Sequence, residues 1–284
     1  MIARLPGSSW WFGQGKKYYR EEAQESEKNE ELGNMAEREV ADKFPFDKPA
    51  MTNYLDHKTI HPPYSLSLIG SEYNKSDIVV SGEGGNAVGV SVKSFAEGSG
   101  SNQVWRVASP QFMDVFGFGG DLKQYFSERL SGVGSGKYDY LFESGDDGTN
   151  EVLRNIQGQR ARILTHALAG SIPPIVCLIA IVRRQDNQVK FFDVDDLISQ
   201  SNSLSEAFVS KNRVIQINPF FTLQRKGGDG INFRWANEHG SEDLRSREND
   251  IQIKMKTKKV WDNIPSLCVA SPTREGANIQ SIMF

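Results

Sequence analysis

Asp77 is followed, after thirteen residues, by Ser91-Val92-Lys93, and the segment that joins them is patterned to fold back on itself. It reads Ser76-Asp77-Ile78-Val79-Val80-Ser81, then Gly82-Glu83-Gly84-Gly85-Asn86, then Ala87-Val88-Gly89-Val90-Ser91-Val92-Lys93. Two β-branched runs around a glycine-rich break predict a hairpin. Alternation places Val88, Val90 and Val92 on one face of its second strand, and Gly89, Ser91 and Lys93 on the other. An acid and a lysine on neighbouring strands suit hydrolytic chemistry. Asp77 can hold a hard divalent cation, and Lys93 can position or deprotonate a water and stabilise charge on a phosphate. The same two residues also fit a structural ion pair on an exposed hairpin, which is common and contributes little.

Upstream, Gly33-Asn34-Met35-Ala36-Glu37-Arg38-Glu39-Val40-Ala41-Asp42-Lys43-Phe44 lies in a helical stretch that begins near Ser26 and stops at Pro45. Its core stripe is predicted to be Met35, Ala36, Val40, Ala41 and Phe44. Glu37, one turn before Ala41, can point along the sheet edge towards Asp77, while Glu39 points elsewhere, into solvent. Gly-x-x-Ala-Glu-Arg-Glu on a first helix, then Asp-Ile-Val-Val, then a strand ending in x-x-Lys resembles the PD-(D/E)xK nuclease superfamily. The resemblance covers roughly residues 27 to 110, and archaeal Holliday-junction resolvases and type II restriction endonucleases are similar in this stretch.

The resemblance implies Mg²⁺ as cofactor, Asp77 as central metal ligand, Lys93 as catalytic lysine and Glu37 as accessory acid. It further implies that Asp77, Glu37 and the Val92 carbonyl bind the metal, with Ser91 steadying the surrounding water. Two departures stand out. Ser91 replaces the usual Glu or Asp, and Asn74-Lys75-Ser76 replaces the proline that commonly precedes the aspartate. Serine brings no negative charge, so metal affinity must come from another acid. Val104 to Ser109 contains none and Glu97 sits in a glycine-serine loop, which leaves Glu37.

Elements further along must build the sheet. Ile175 to Val182 is continuously apolar and reads as a central strand covered on both faces. Asn150 to Ala169 supplies a covering helix through Val152, Ile156, Ile163, Leu164 and Leu168, ended by Gly170 and Pro173-Pro174. With a strand at Ser65–Ile69, the order is αβββαβ, the core order of the superfamily it resembles. Val189 to Asp193 adds a strand and Val194 to Ser199 a short helix. The fold class is thus α/β: a restriction-endonuclease-like αβββαβ core with a mixed central sheet flanked by helices, plus a β-rich C-terminal extension. The predicted divisions are an N-terminal arm (1–26), a catalytic core (27–200) and a recognition region (201–284) belonging to the same compact body. Trp10-Trp11 and Tyr18-Tyr19 would anchor the arm.

Candidate DNA contacts fall in two places. Ser94 to Arg106 reads as a polar loop beside the catalytic sheet end, with Gln103 and Arg106 set against substrate. In the last third, strands are expected at Arg213–Asn218, Phe220–Gln224 and Ile231–Ala236. Arg225-Lys226-Gly227-Gly228 forms a plausible phosphate clasp, and Gln252, Lys254 and Lys256 alternate with Ile251, Ile253 and Met255 to give a basic strand face. Arg245 and Arg247 are placed to reach guanine edges. A solvated antiparallel sheet would carry the same charges.

Composition narrows the classes. The 284 residues are 38% hydrophobic, with 33 Lys and Arg against 36 Asp and Glu and a net charge of -3, which argues against a protein that coats nucleic acid through a generally basic surface. Two cysteines, Cys177 and Cys268, exclude a disulfide framework or a cysteine-rich zinc site. The N-terminus has no apolar h-region and no apolar run is long enough to span a bilayer, so no membrane role and a cytoplasmic location are expected. Gly82 to Gly89 precedes a strand where a dinucleotide fingerprint needs a helix, and Gly132 to Lys137 lacks the first P-loop glycine, so no nucleotide cofactor is expected. The resemblance thus implies a protein most like a type II restriction endonuclease: a Mg²⁺-dependent enzyme hydrolysing double-stranded DNA by in-line attack of water. Symmetry and analogy add a homodimer on a palindromic site. Other readings are a structure-selective resolvase or repair nuclease, a DNA-binding module with a decayed nuclease core, and a metal-free interaction protein.

Overall fold

The computed structural model of the protein describes residues 30–69, 75–97, 100–132, 140–202, 206–226 and 250–270. Helix α1 (residues 30–42) and α2 (Pro49–His57) precede three consecutive strands, β1 (His61–Leu68), β2 (Ile78–Glu83) and β3 (Ala87–Phe95). Next come β4 (Asn102–Ala108) and four helices, α3 (Ser109–Val115), α4 (Gly120–Gly132), α5 (Asp147–Gly158) and α6 (Arg160–Ala169). They lead into β5 (Val176–Arg183), β6 (Gln188–Asp193) and α7 (Val194–Asn202). The chain continues through β7 (Phe208–Val209), β8 (Ile215–Gln216), β9 (Phe221–Lys226), β10 (Asp250–Met255), α8 (Thr257–Asn263) and β11 (Cys268–Ala270).

The first sheet has the order β1-β2-β3-β5-β6-β11, with β3 and β5 parallel and every other pair antiparallel. This is the expected mixed sheet, reached in the expected αβββαβ order. Its central strand β5 is apolar on both faces because helices cover both, whereas the edge strand β1 is largely exposed. Val88, Val90, Val92, Leu178, Ala180 and Val182 pack with Ala36 and Val40 of α1, Phe44 just beyond it, and Met51 and Leu55 of α2. On the reverse face Ile179 and Ile181 pack with Ile163, Leu164 and Leu168 of α6 and Leu197 of α7. The predicted central strand is β5, lying between β3 and β6. No described helix is long and apolar enough to cross a membrane.

The second sheet, β4-β10-β9-β8-β7, is antiparallel and draws its strands from both predicted regions. β4 lies in the first part of the chain yet pairs with β10, while β11, near the C-terminus, closes the edge of the first sheet. A boundary at residue 200 therefore coincides with no division between the sheets.

Several local expectations are corrected. The helix expected over Asn150–Ala169 is two helices that break at Gln159, where φ is -116°. Gly158 favours the break, and the Gln159 side chain donates to the Phe116 carbonyl at 2.8 Å. The loop expected over Ser94–Arg106 becomes a strand from Asn102 onwards, because Trp105 and Val107 find Ile253 and Ile251 across β10. The Asn102 amide fixes that entry by donating to the Ser94 carbonyl and the Thr257 hydroxyl, each at 2.8 Å. The strand expected over Arg213–Asn218 shortens to Ile215–Gln216. Met35, assigned to the α1 core stripe, is 60% exposed, while Ala36, Val40 and Phe44 are buried. The strand expected at Ile231–Ala236 and the N-terminal arm with its paired aromatics lie outside the described residues.

The β2–β3 hairpin turns at Gly84 and Gly85, both at positive φ. Gly89 is required for a different reason. A Cβ there would lie 2.0 Å from the Ser76 hydroxyl oxygen and 2.9 Å from the Pro174 carbonyl oxygen, which that hydroxyl itself binds at 2.8 Å. Gly89→Ala is thus expected to destabilise the protein by about 1–3 kcal/mol in urea unfolding, the usual cost of overpacking. A change below about 0.5 kcal/mol would show that Ser76 gives way freely.

Candidate active site

Asp77 is set in place by its backbone before its side chain does anything. Its N–H donates to the Val90 carbonyl and its own carbonyl accepts from Ile69, each at 2.9 Å, so the residue just before β2 is pinned between β1 and β3. Its carboxylate then turns to β3. Oδ2 accepts from the Val92 backbone N–H at 2.5 Å and from the Ser91 hydroxyl at 3.2 Å, and the Lys93 ammonium lies 3.7 Å away. Charge-assisted bonds of this kind are short and hold an orientation well. Among the described residues Oδ1 has no donor, which leaves it for a cation.

Lys93 Nζ donates to the Val92 carbonyl at 2.9 Å. A carbonyl oxygen has two lone pairs, so that bond still leaves Val92 able to face a cation. Ser91 is 6% exposed, and its hydroxyl is spent on Asp77. Glu37, next to the buried Ala36 on α1, lies near enough to feel both partners. Burial, and then the charge of Asp77, push its carboxyl above the usual glutamate range, with Lys93 pulling the other way. Glu39, expected in solvent, instead pairs with Lys43 just past the end of α1, and the pair is partly buried.

Asp77, Ser91 and Lys93 line a cavity of about 150 Å³, together with Lys75, Val104, Ala167, Leu168 and Ile179. Val104 is the extra residue where the β4–β10 register shifts, so the second sheet touches the site there. Lys75 is the residue that sequence reasoning missed. Burial, then repulsion from Lys93, push its ammonium down to about 7. Its one local signal was its place two residues before Asp77.

Among the described residues no group of three or more His, Cys, Asp or Glu gathers in one place. The oxygen donors on offer are the Asp77 and Glu37 carboxylates and the Val92 carbonyl. Hard donors of this type suit Mg²⁺, which binds through one or two carboxylates and keeps several waters. Burial is the larger cause of the Glu37 shift and the charge of Asp77 the second, and a cation would oppose both.

The candidate DNA contacts separate into groups. Arg106 pairs across β10 with Gln252, and Gln252 with Gln224 on β9; Gln103 pairs with Lys254, and Lys254 with Thr222. Gln103, Arg106 and Lys254 therefore share one sheet face, opposite the core-facing Trp105, Ile251 and Ile253. Gln252, in the middle of that face, is only 5% exposed. Arg225 is in register with Ile251 and falls in the other phase, and Lys226 is in register with Asp250. β10 ends at Met255, so Lys256 is the N-cap residue before α8 rather than an extension of the stripe; its ammonium is held below the usual lysine range by burial, then by Lys259, and donates to Gln216. Arg245 and Arg247 lie outside the described residues.

No known family model matches the chain, and no curated protein matches it in sequence. Among solved structures, it is similar to the crystal structure of restriction endonuclease MspI in complex with its cognate DNA. The two are 12% identical with a TM-score of 0.46, over 76% of this chain and 81% of that one.

Proposed function

We propose that this protein is a Mg²⁺-dependent endonuclease that hydrolyses double-stranded DNA at a specific sequence, in the manner of a type II restriction endonuclease. The observation that carries the reading is convergence. Glu37 from α1, Asp77 from the start of β2 and Lys93 from β3 come together, with Asp77 and Lys93 in one cavity between sheet and helix. Asp77, Glu37 and the Val92 carbonyl would hold Mg²⁺. When bound, the ion would act as a Lewis acid towards a phosphate oxygen and make water a better nucleophile.

The chain's own groups supply the rest. Val92 N–H and Ser91 fix the Asp77 carboxylate, so it does not rotate away from its partners as charge builds. Lys93, on the cavity wall, orients the attacking water and offers positive charge to the phosphate oxygens. Val104, Ala167, Leu168 and Ile179 make part of the wall apolar, which strengthens each of these interactions. On this reading Gln103, Arg106 and Lys254 contact the duplex from the second sheet, and a homodimer meets a palindromic site.

The test is to incubate the protein with a defined circular plasmid, with Mg²⁺ or with EDTA, and to sequence the ends. Linear products with 5′-phosphates at one recurring sequence are expected only with Mg²⁺. One specific observation favours a second reading, a DNA-binding module with a decayed core: Ser91 occupies the usual acid position and is spent on Asp77. Duplex binding with the plasmid left intact in Mg²⁺ would select it.

A further inference from the structure

Lys75 lines the same cavity as Asp77, Ser91 and Lys93, yet the hydrolytic roles above leave it without a task. Its placement is tightly held. The stem packs on Gly170, where a Cβ would come within 3.0 Å of Lys75 Cδ. The ammonium lies 5.7 Å from the centroid of the Trp105 ring. It donates to the carbonyl oxygens of His166 at 2.9 Å and Ala167 at 2.5 Å, both in the last turn of α6.

A cation at the C-terminal end of a helix is favourable in itself, and capping α6 accounts for those two bonds. It does not account for the lysine's enclosure. A lysine can reach helix carbonyls from the surface with its head in water. This one is drawn into a cavity that already contains a second ammonium, with Asp77 the only carboxylate among the lining residues. Such a cavity sets two amine groups against one carboxylate on partly apolar walls, an arrangement that favours the entry of an anion. Two of the three ammonium hydrogens are taken by carbonyls, which leaves one.

We propose that Lys75 is a second phosphate-binding lysine, whose remaining N–H takes a non-bridging oxygen of the DNA phosphodiester lying against Asp77 and Lys93. This rests on the nuclease reading of the site. Two fixed ammonium groups on one phosphate would orient it as well as attract it, Lys75 from the α6 side of the cavity and Lys93 from the sheet.

The experiment compares the wild type with Lys75→Met, which keeps the stem and removes the charge, and with Lys75→Arg. Duplex DNA is bound in Ca²⁺ over a salt series, and single-turnover cleavage is then measured in Mg²⁺. Lys75→Met is expected to lower the slope of log affinity against log salt by about one. It should also slow cleavage by about tenfold to a hundredfold, the worth of one charged hydrogen bond, and Lys75→Arg should restore the salt slope. A pure α6 cap would lower the melting temperature and leave slope and rate unchanged, which would overturn the proposal. If Lys75→Met does not fold, reductive methylation of the wild type mapped by mass spectrometry decides. Duplex DNA should protect Lys75, and equal labelling with and without DNA overturns it. A wild type that neither binds nor cleaves duplex DNA removes the nuclease reading and this inference together; an active wild type with an unaffected Lys75→Met removes this inference alone.

Discussion

Asp77→Asn is expected to slow Mg²⁺-dependent cleavage of duplex DNA by at least about a thousandfold while leaving a folded protein that still binds DNA. Asparagine is the informative replacement because its amide oxygen can still accept from the Val92 N–H and the Ser91 hydroxyl, so the hairpin keeps both contacts. What disappears is the charge. Alanine would leave the Val92 N–H without its acceptor, at a cost of about 1–3 kcal/mol, and would mix a folding defect into the kinetics. Lys93→Met keeps the aliphatic stem and removes the ammonium 3.7 Å from Asp77, with an expected loss of about 10²–10³ in rate. If both groups serve the same water and phosphate, the double variant should be hardly slower than Asp77→Asn alone. Single-turnover cleavage by either single variant within about tenfold of the wild type would place the chemistry elsewhere.

The hairpin that carries this prediction was legible because its signals are local. Alternation separates Val88, Val90 and Val92 from Ser91 and Lys93, paired glycines mark the turn, and both reappear in the packing. β5 was legible for a related reason: a continuous apolar run has to be buried on both faces, and Ile179 and Ala180 do belong to different core clusters. The second sheet was not legible. β4 looks like a polar loop until Trp105 and Val107 meet Ile253 and Ile251, which lie far along the chain, and no local pattern encodes that pairing. The extent of β10 was misjudged for the opposite reason. Its alternation runs on through Lys256, but Thr257 and Val260 turn inward as part of α8. Lys75 escaped notice because its place in the cavity depends on the C-terminal end of α6 and on Trp105, both distant in sequence. Glu37 was reachable through the resemblance alone, since helix periodicity gives its side of α1 but not its distance from a strand.

Glu37 is where that reach is tested. Its carboxyl is raised by burial and by Asp77, so the folded protein disfavours the ionised form. The sign follows directly. Below the ordinary glutamate range both folded and unfolded chains hold the proton and nothing is lost, whereas as pH rises through that range and then through the raised folded value the metal-free fold loses stability. Glu37→Gln should therefore leave the metal-free melting temperature unchanged at low pH and raise it slightly at pH 8. Added Mg²⁺ should do the reverse. Binding to the folded state alone stabilises the wild type, by about 2.7 kcal/mol at a hundred times the dissociation constant, and Glu37→Gln should forfeit most of that gain. Cleavage should fall with it by about a hundredfold. Glu39→Gln is the control on the same helix, since Glu39 pairs with Lys43 and not with Asp77; it should match the wild type in both Mg²⁺ response and rate. Equal Mg²⁺ shifts and equal rates for the two variants would remove Glu37 from the metal site and require a different acid to complete it.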